Sequence, residues 1–171
     1  DEKIWLAGID IDEHSKKLYV VSRLNRSVYV ADIPSRKIVG RLELPAMPYT
    51  CLFSETTGLL CVSLWGASQV AVIDASTLTL KSVIRVGSHP NEMIESSDGR
   101  RLYVANANEN TVSVIDLKRV ELYETIQTTS DTAALPGSCA SCAASTSSAT
   151  AMSPTERVMG PMWSRVNASG K

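Results

Sequence analysis

The chain repeats itself at an interval of 42 residues, and this interval constrains its fold more than any other feature. Three apolar triplets keep the same register, at 18–20, 60–62 and 102–104. A second apolar run follows each triplet and ends in an aspartate, at Asp32, Asp74 and Asp116. No insertion or deletion separates the copies. Short β-branched runs at a fixed interval indicate stacked β-sheets, because helical repeats would show a period of about 3.6 residues.

Turn-forming residues divide each unit into four strands. In the third unit, turns at 97–99 and 106–110 bracket an extended run at 101–105. The second and third strands of the first unit are apolar on both faces, as expected of a sheet packed between two neighbours. Four antiparallel strands per repeat of about 40 to 45 residues is typical of a β-propeller. We therefore predict an all-β chain of three four-stranded antiparallel blades, at 4–44, 48–86 and 90–126.

Up-and-down topology assigns the loops to two faces, because antiparallel neighbours send alternate connections to opposite ends. One face, which we call the loop face, should carry five segments: 23–27, 45–49, 65–68, 87–91 and 106–110. The opposite face should carry the turns that follow the three repeated aspartates. The loop face is richer in aromatic, histidine and amide groups, so it is the better candidate for a binding surface.

The repeat stops after Ile126. A fourth unit should place apolar residues near 144, 146, 154 and 156, but those positions hold alanine, threonine, proline and glutamate. About half of residues 127–171 are Ala, Ser or Thr, too polar a composition to offset chain entropy. We therefore divide the chain into blades at 1–126 and a tail at 127–171 that is disordered, or an out-of-frame or truncated reading of a longer gene.

Three blades alone form an incomplete ring, since propellers typically need four to eight. An open stack exposes two apolar blade faces, which predicts self-association through those faces. Two chains of three blades would then close a six-bladed ring.

Composition excludes several classes of partner. The 17 basic and 18 acidic residues nearly balance, which argues against nucleic-acid binding, and no apolar run is long enough to insert into a membrane. No paired-carboxylate, Ser-His-Asp, P-loop or Rossmann pattern is present. The sequence therefore predicts no catalytic residue, no metal site and no cofactor, and leaves the ligand or protein partner unknown.

The segments 85–91, 97–108 and 111–116 resemble the bacterial YVTN, or YncE-like, β-propeller repeats. The Tyr-Val-x-Asn tetrad of that family is intact at 103–106, whereas the copies at 19–22 and 61–64 depart from it. The resemblance covers the blades and is specific for fold. It implies a bacterial protein that is periplasmic or secreted, in a family whose functions are diverse.

A finer resemblance concerns 48–49, 63–66 and 135–138, which are similar to a subgroup whose propeller precedes a metal-dependent phosphoesterase domain of the alkaline-phosphatase superfamily. None of that domain's metal ligands is carried over to this chain. Our main interpretation is a non-catalytic binding or scaffold module. The alternatives are the propeller portion of a phosphoesterase or of a lactonase-like enzyme, and the six-bladed homo-oligomer.

Candidate binding residues lie on the predicted loop face: Trp65, His89, Asn91, Asn106 and Asn108. Indole and amide groups suggest a shallow surface for a sugar or a peptide. The alternative is that Trp65 packs on a loop of the neighbouring blade. His89 is conceivable as a ligand or an acid–base group, but a blade-connecting turn is favoured because no second ligand stands at metal-site spacing.

Two further groups of residues have structural alternatives. The aspartates Asp32, Asp74 and Asp116 suggest a carboxylate ring for a cation, but their position favours hydrogen bonds to the backbone of the following turn. Cys51 and Cys61 lie on strands that pair, which permits a cross-strand disulfide. Apolar residues fill the sister positions of both cysteines, which favours buried free thiols.

Overall fold

The computed structural model describes residues 4–128, which form three four-stranded antiparallel sheets in chain order. The first blade contains β1 (Leu6–Asp12), β2 (Lys17–Ser22), β3 (Ser27–Asp32) and β4 (Lys37–Glu43). The second blade contains β5 (Cys51–Ser54), β6 (Leu59–Leu64), β7 (Gln69–Asp74) and β8 (Thr79–Arg85). The third blade contains β9 (Pro90–Glu95), β10 (Arg101–Asn106), β11 (Thr111–Asp116) and β12 (Glu121–Gln127). The predicted all-β fold of three blades is confirmed, and the expectation for the tail lies outside the described residues.

The blades are structural copies down to their irregularities. In each blade the pairing of the third and fourth strands shifts register at the same repeat position, at 30/31, 72/73 and 114/115. Such a bulge adds one residue to the outermost strand and increases its twist. The recurrence shows that the 42-residue period in the sequence is also a period of the backbone geometry.

The second blade lies between its two sisters and buries both of its faces. Leu60 and Val62 pack against the first blade, while Cys61 and Val72 pack against the third, and all four are 0% exposed. Alternation along each strand sends successive side chains to opposite faces, so a strand with two buried faces is apolar throughout. The two interfaces are therefore built from alternate residues of the same strands.

The two outer faces of the stack carry apolar side chains without a further blade among residues 4–128. On the first blade the strand register sets Ile9, Val20 and Tyr29 side by side, and Ile9 is 59% exposed. On the third blade it sets Ile94 beside Tyr103, and Ile94 is 67% exposed. These faces correspond by repeat position to faces that are covered in the second blade.

Both described cysteines are buried free thiols. Cys51 opposes Val62, whereas Cys61 opposes Leu52, so the two cysteines are one residue out of register. Cys51 consequently faces the first blade and Cys61 faces the third. The cross-strand disulfide considered from the sequence is wrong, because that interpretation required the cysteines to be direct partners.

Candidate functional site

A cluster of polar and aromatic side chains lies on the loop face where the second blade meets the third. Trp65 begins the short 3-10 turn Trp65–Ala67 between β6 and β7, and His89 immediately precedes β9. The two rings form an edge-to-face contact, with centroids 4.2 Å apart and planes at 72°. The structure thus brings together two of the residues that the sequence singled out, and it packs Trp65 on a loop residue of the neighbouring blade.

Two polar side chains lie within hydrogen-bond distance of the same ring nitrogen of His89. The Ser88 hydroxyl lies 2.7 Å from His89 Nδ1, and Asn108 Nδ2 lies 2.9 Å from the same nitrogen. Both contacts therefore lie on one side of the imidazole ring. His89 also has a left-handed backbone, with φ of 54°. The loop thus holds the imidazole through Nδ1 beside an indole ring.

Asn106 lies beneath this cluster. It is 3% exposed at the end of β10, and its Nδ2 donates to the hydroxyls of Thr111 at 2.8 Å and Ser113 at 2.9 Å. A Cβ added to Gly87 would lie 2.5 Å from Asn106 Cγ, so the glycine leaves room for the amide. The buried oxygens Asn106 Oδ1 and Asn91 Oδ1 have no hydrogen-bond partner within residues 4–128. Asn106 thus supports the loops from below and is not part of the accessible surface.

We use the name Trp65–His89 surface for Trp65, His89, Ser88 and Asn108. Asn108 is exposed, whereas the other three are partly buried. These four side chains are an indole, an imidazole, a hydroxyl and an amide, and the Glu109 carboxylate lies nearby, with its Oε2 2.6 Å from a Cβ built on Gly87. Among residues 4–128 no group of three histidines, cysteines or acidic residues stands close enough to hold a metal ion. The surface can therefore offer one aromatic contact together with hydrogen-bonding groups.

The three repeated aspartates accept hydrogen bonds from the backbone of their own turns. The acceptor atoms are Oδ2 of Asp32 for Ser35 N, Oδ1 of Asp74 for Ser76 N, and Oδ1 of Asp116 for Lys118 N. The donor–acceptor distances lie between 2.8 and 3.0 Å. Hydrogen bonds from Ser76 and Thr77 lower the pKa of Asp74 to about 2. Each carboxylate binds the backbone of its own turn, and two of them also pair with a cation on an adjacent strand: Asp74 with Lys81 and Asp116 with Arg101. No hydrogen bond joins one aspartate to another in the described part of the chain.

A second group of loop-face residues was missed by sequence reasoning. Trp5 and Arg23 line two adjoining cavities of about 350 and 360 Å³ where the first blade meets the second, and Tyr49 lines the first of these cavities. We call this region the Trp5–Arg23 cleft. The repeat contained the signal, since Trp5 stands 84 residues before His89 and Arg23 stands 42 before Trp65. The cleft and the Trp65–His89 surface therefore use equivalent loop positions of successive blades.

Comparison with known proteins gives relatives that cover part of this chain. The uncharacterized protein YncE of Salmonella typhimurium is 27% identical over 107 residues, which cover 63% of this chain and 30% of that protein. The YncE protein of Salmonella typhi is 26% identical over 107 residues, with the same coverage. The aligned region thus spans less than a third of the length of these relatives. No family model matches the chain.

Solved structures share the fold. The hydrazine synthase of Kuenenia stuttgartiensis superposes with a TM-score of 0.67 at 24% identity, over 70% of this chain and 35% of that one. A functionally unknown protein from Desulfotomaculum acetoxidans gives a TM-score of 0.64 at 19% identity, over 75% of this chain and 44% of that one. Dihydro-heme d1 dehydrogenase NirN gives a TM-score of 0.63 at 15% identity, over 73% of this chain and 28% of that one.

The stacked four-stranded sheets and the structural matches define a β-propeller protein. The repeat pattern and the sequence relatives make the chain similar to YncE-like β-propeller proteins. Within residues 4–128 the structure has no helix with the length and apolar character of a membrane span.

Proposed function

We propose that the chain is a non-catalytic binding module that presents the Trp65–His89 surface to a polar ligand, either a sugar or a peptide. The observation that carries the proposal is the convergence of Ser88 and Asn108 on one ring nitrogen of His89. That convergence occupies Nδ1, and the second ring nitrogen makes no hydrogen bond within residues 4–128. An oriented imidazole nitrogen beside an indole and an exposed amide suits hydroxyl and peptide groups.

The proposal is tested by titrating the full chain with soluble oligosaccharides and with mixed short peptides while recording tryptophan fluorescence. Binding at this surface should give a saturable change that Trp65→Phe abolishes. The matched control is Trp5→Phe, because Trp5 also lies on the loop face but at the junction of the first two blades. A ligand response that survives Trp65→Phe, or no response to any member of the panel, would refute the proposal.

Self-association through the open blade faces is a second proposed role, supported by the equivalence of the outer and inner faces. Tyr103 on the open face of the third blade occupies the repeat position of Cys61, which packs against a following blade. Leu18 on the open face of the first blade occupies that of Leu60, which packs against a preceding blade. Two copies joined head to tail would form six blades. Sedimentation that finds only monomer at micromolar concentration would contradict this role.

Location and gene context are also proposals. The family resemblance supports a periplasmic or secreted protein, which fractionation of the native host would test by following the chain with an antibody. A downstream phosphoesterase or a lactonase-like activity is the enzyme alternative. Reading the gene beyond codon 126 in all three frames tests it, because further blades or metal ligands would then appear.

A further inference from the structure

The Trp5–Arg23 cleft is held together by the backbone. Arg23 N donates to Trp5 O at 2.9 Å, and Trp5 N donates to Ser22 Oγ at 3.3 Å. These bonds fix the segment before β1 against the loop that follows β2. The Trp5 side chain is nevertheless 66% exposed, which is unusual for so large an apolar group. An indole that is anchored at its backbone and open at its ring is suited to contact a ligand.

The Arg23 side chain is positioned by an aromatic ring and has no anionic partner in the described part of the chain. Its guanidinium carbon lies 5.7 Å from the centre of the Tyr49 ring, and it forms no ion pair within residues 4–128. Stacking on an aromatic face leaves the N–H groups at the edge of the guanidinium plane able to donate. That edge matches the two oxygens of a carboxylate, which a guanidinium binds through two parallel hydrogen bonds.

The two cavities that meet at Trp5 and Arg23 differ in charge. One of them, of about 350 Å³, contains the carboxylate of Glu92 together with Thr50. Among the described residues, the other cavity, of about 360 Å³, is lined by Trp5, Arg23, Leu24, Arg26 and Met47. The Arg26 guanidinium lies 3.6 Å from Glu43, and both of those side chains are more than half exposed, so solvent weakens the pair. An anion is therefore favoured on the side of the two arginines and opposed on the side of Glu92.

We propose that this arginine-lined side of the Trp5–Arg23 cleft binds a small carboxylate carried on a flat apolar group, such as an aryl acetate. Arg23 receives the carboxylate, Arg26 adds positive potential, and Trp5, Leu24 and Met47 contact the ring. A volume of about 360 Å³ lies in the range of small-molecule sites. This site is separate from the Trp65–His89 surface, and the proposal does not depend on the function proposed there.

The test compares two probes of equal shape, 1-naphthylacetate and its neutral amide, by calorimetric titration into the full chain. We expect saturable binding with one site per chain and at least a ten-fold lower Kd for the acid. Raising the salt concentration should weaken binding of the acid and leave binding of the amide unchanged. In the Arg23→Gln variant the acid should bind no better than the amide. Trp5→Ala should weaken both probes.

Two controls separate this site from its neighbour and from unfolding. The Trp65→Phe variant should bind the acid with the same Kd as the unmodified chain, even if it no longer binds a ligand at the Trp65–His89 surface. Arg26→Gln should weaken the acid by a smaller factor than Arg23→Gln, with an unchanged thermal midpoint in each variant. Equal binding of acid and amide, no saturable binding of the acid, or full binding by Arg23→Gln would overturn the proposal.

Discussion

The repeat supplies a matched set of valines that reports how each blade face is covered. Val20, Val62 and Val104 occupy the same repeat position on successive blades. Val62 and Val104 are 0% exposed in the two interfaces, whereas Val20 lies partly buried on the open face of the first blade. Substitution by alanine at the three sites removes the same atoms from three different surroundings.

The expected costs follow from the atoms removed. Valine to alanine deletes two carbons, and about 0.8 kcal/mol is lost for each buried carbon, which gives about 1.6 kcal/mol of transfer free energy. A cavity that collapses only partly adds to this, so Val62→Ala and Val104→Ala should each lower the free energy of unfolding by about 2–3 kcal/mol. Val20→Ala should cost less than about 1 kcal/mol, because its site is already open on one side.

Urea unfolding at constant m-value measures these differences. If Val20→Ala destabilises the chain as much as Val62→Ala at all protein concentrations, the open face of the first blade is covered in solution and our assignment of that face is wrong. If the cost of Val20→Ala appears only at high protein concentration, the cover is a second copy, as the proposed self-association requires.

Three further predictions concern single groups. Gly8→Ala places a Cβ 2.4 Å from a backbone carbon of the second blade and should destabilise the chain by about 1–3 kcal/mol, whereas Gly66→Ala, with nothing within 4 Å, should be nearly neutral in the same urea assay. Burial raises the pKa of the Cys51 and Cys61 thiols to about 12, so iodoacetamide at pH 8 should label neither of them until urea unfolds the blades. Mass spectrometry after digestion measures the labelling, and fast labelling of the folded chain would contradict the burial. Hydrogen bonds lower the pKa of Asp74 to about 2 from its ordinary 3.8, so they stabilise the fold above pH 3.8 and lose that contribution as the pH falls towards 2. The thermal midpoint of Asp74→Asn should therefore fall less than that of the unmodified chain between pH 3.8 and 2. An equal fall would show that Asp74 is not a source of acid sensitivity.

The blade architecture was predictable because the information that determines it is local and repeated. Each triplet such as 60–62 specifies an apolar strand, and each turn-forming aspartate ends one. The bulge at 72/73 and its sisters was not predictable, because it depends on how the outermost strand pairs and leaves no residue type of its own. The one-residue offset between Cys51 and Cys61 was missed for the same reason, since register depends on turn geometry.

The candidate site was predicted less well than the fold. Trp65, His89 and Asn108 do come together, but Asn106 is buried beneath them. The alternation of side chains along β10 predicts this burial, because Asn106 lies on the same face of the strand as the buried Val104. The Trp5–Arg23 cleft was missed because its residues occupy repeated positions but differ in type from their counterparts, and a repeat analysis gives most weight to residue types that agree.

The use of alternate residues of the same strands for the two blade interfaces has a consequence for how such a gene changes. The interface between the first and second blades and the interface between the second and third use the same repeat positions. Tyr19 and Cys61, for example, are 42 residues apart, and each faces the blade that follows its own. Unequal recombination could remove or duplicate 42 codons. Wherever the crossover falls, the face of one blade that packs against the following blade would still meet a face that packs against a preceding blade. Blade number is thus a quantity that a single genetic event can alter while every remaining interface keeps complementary partners.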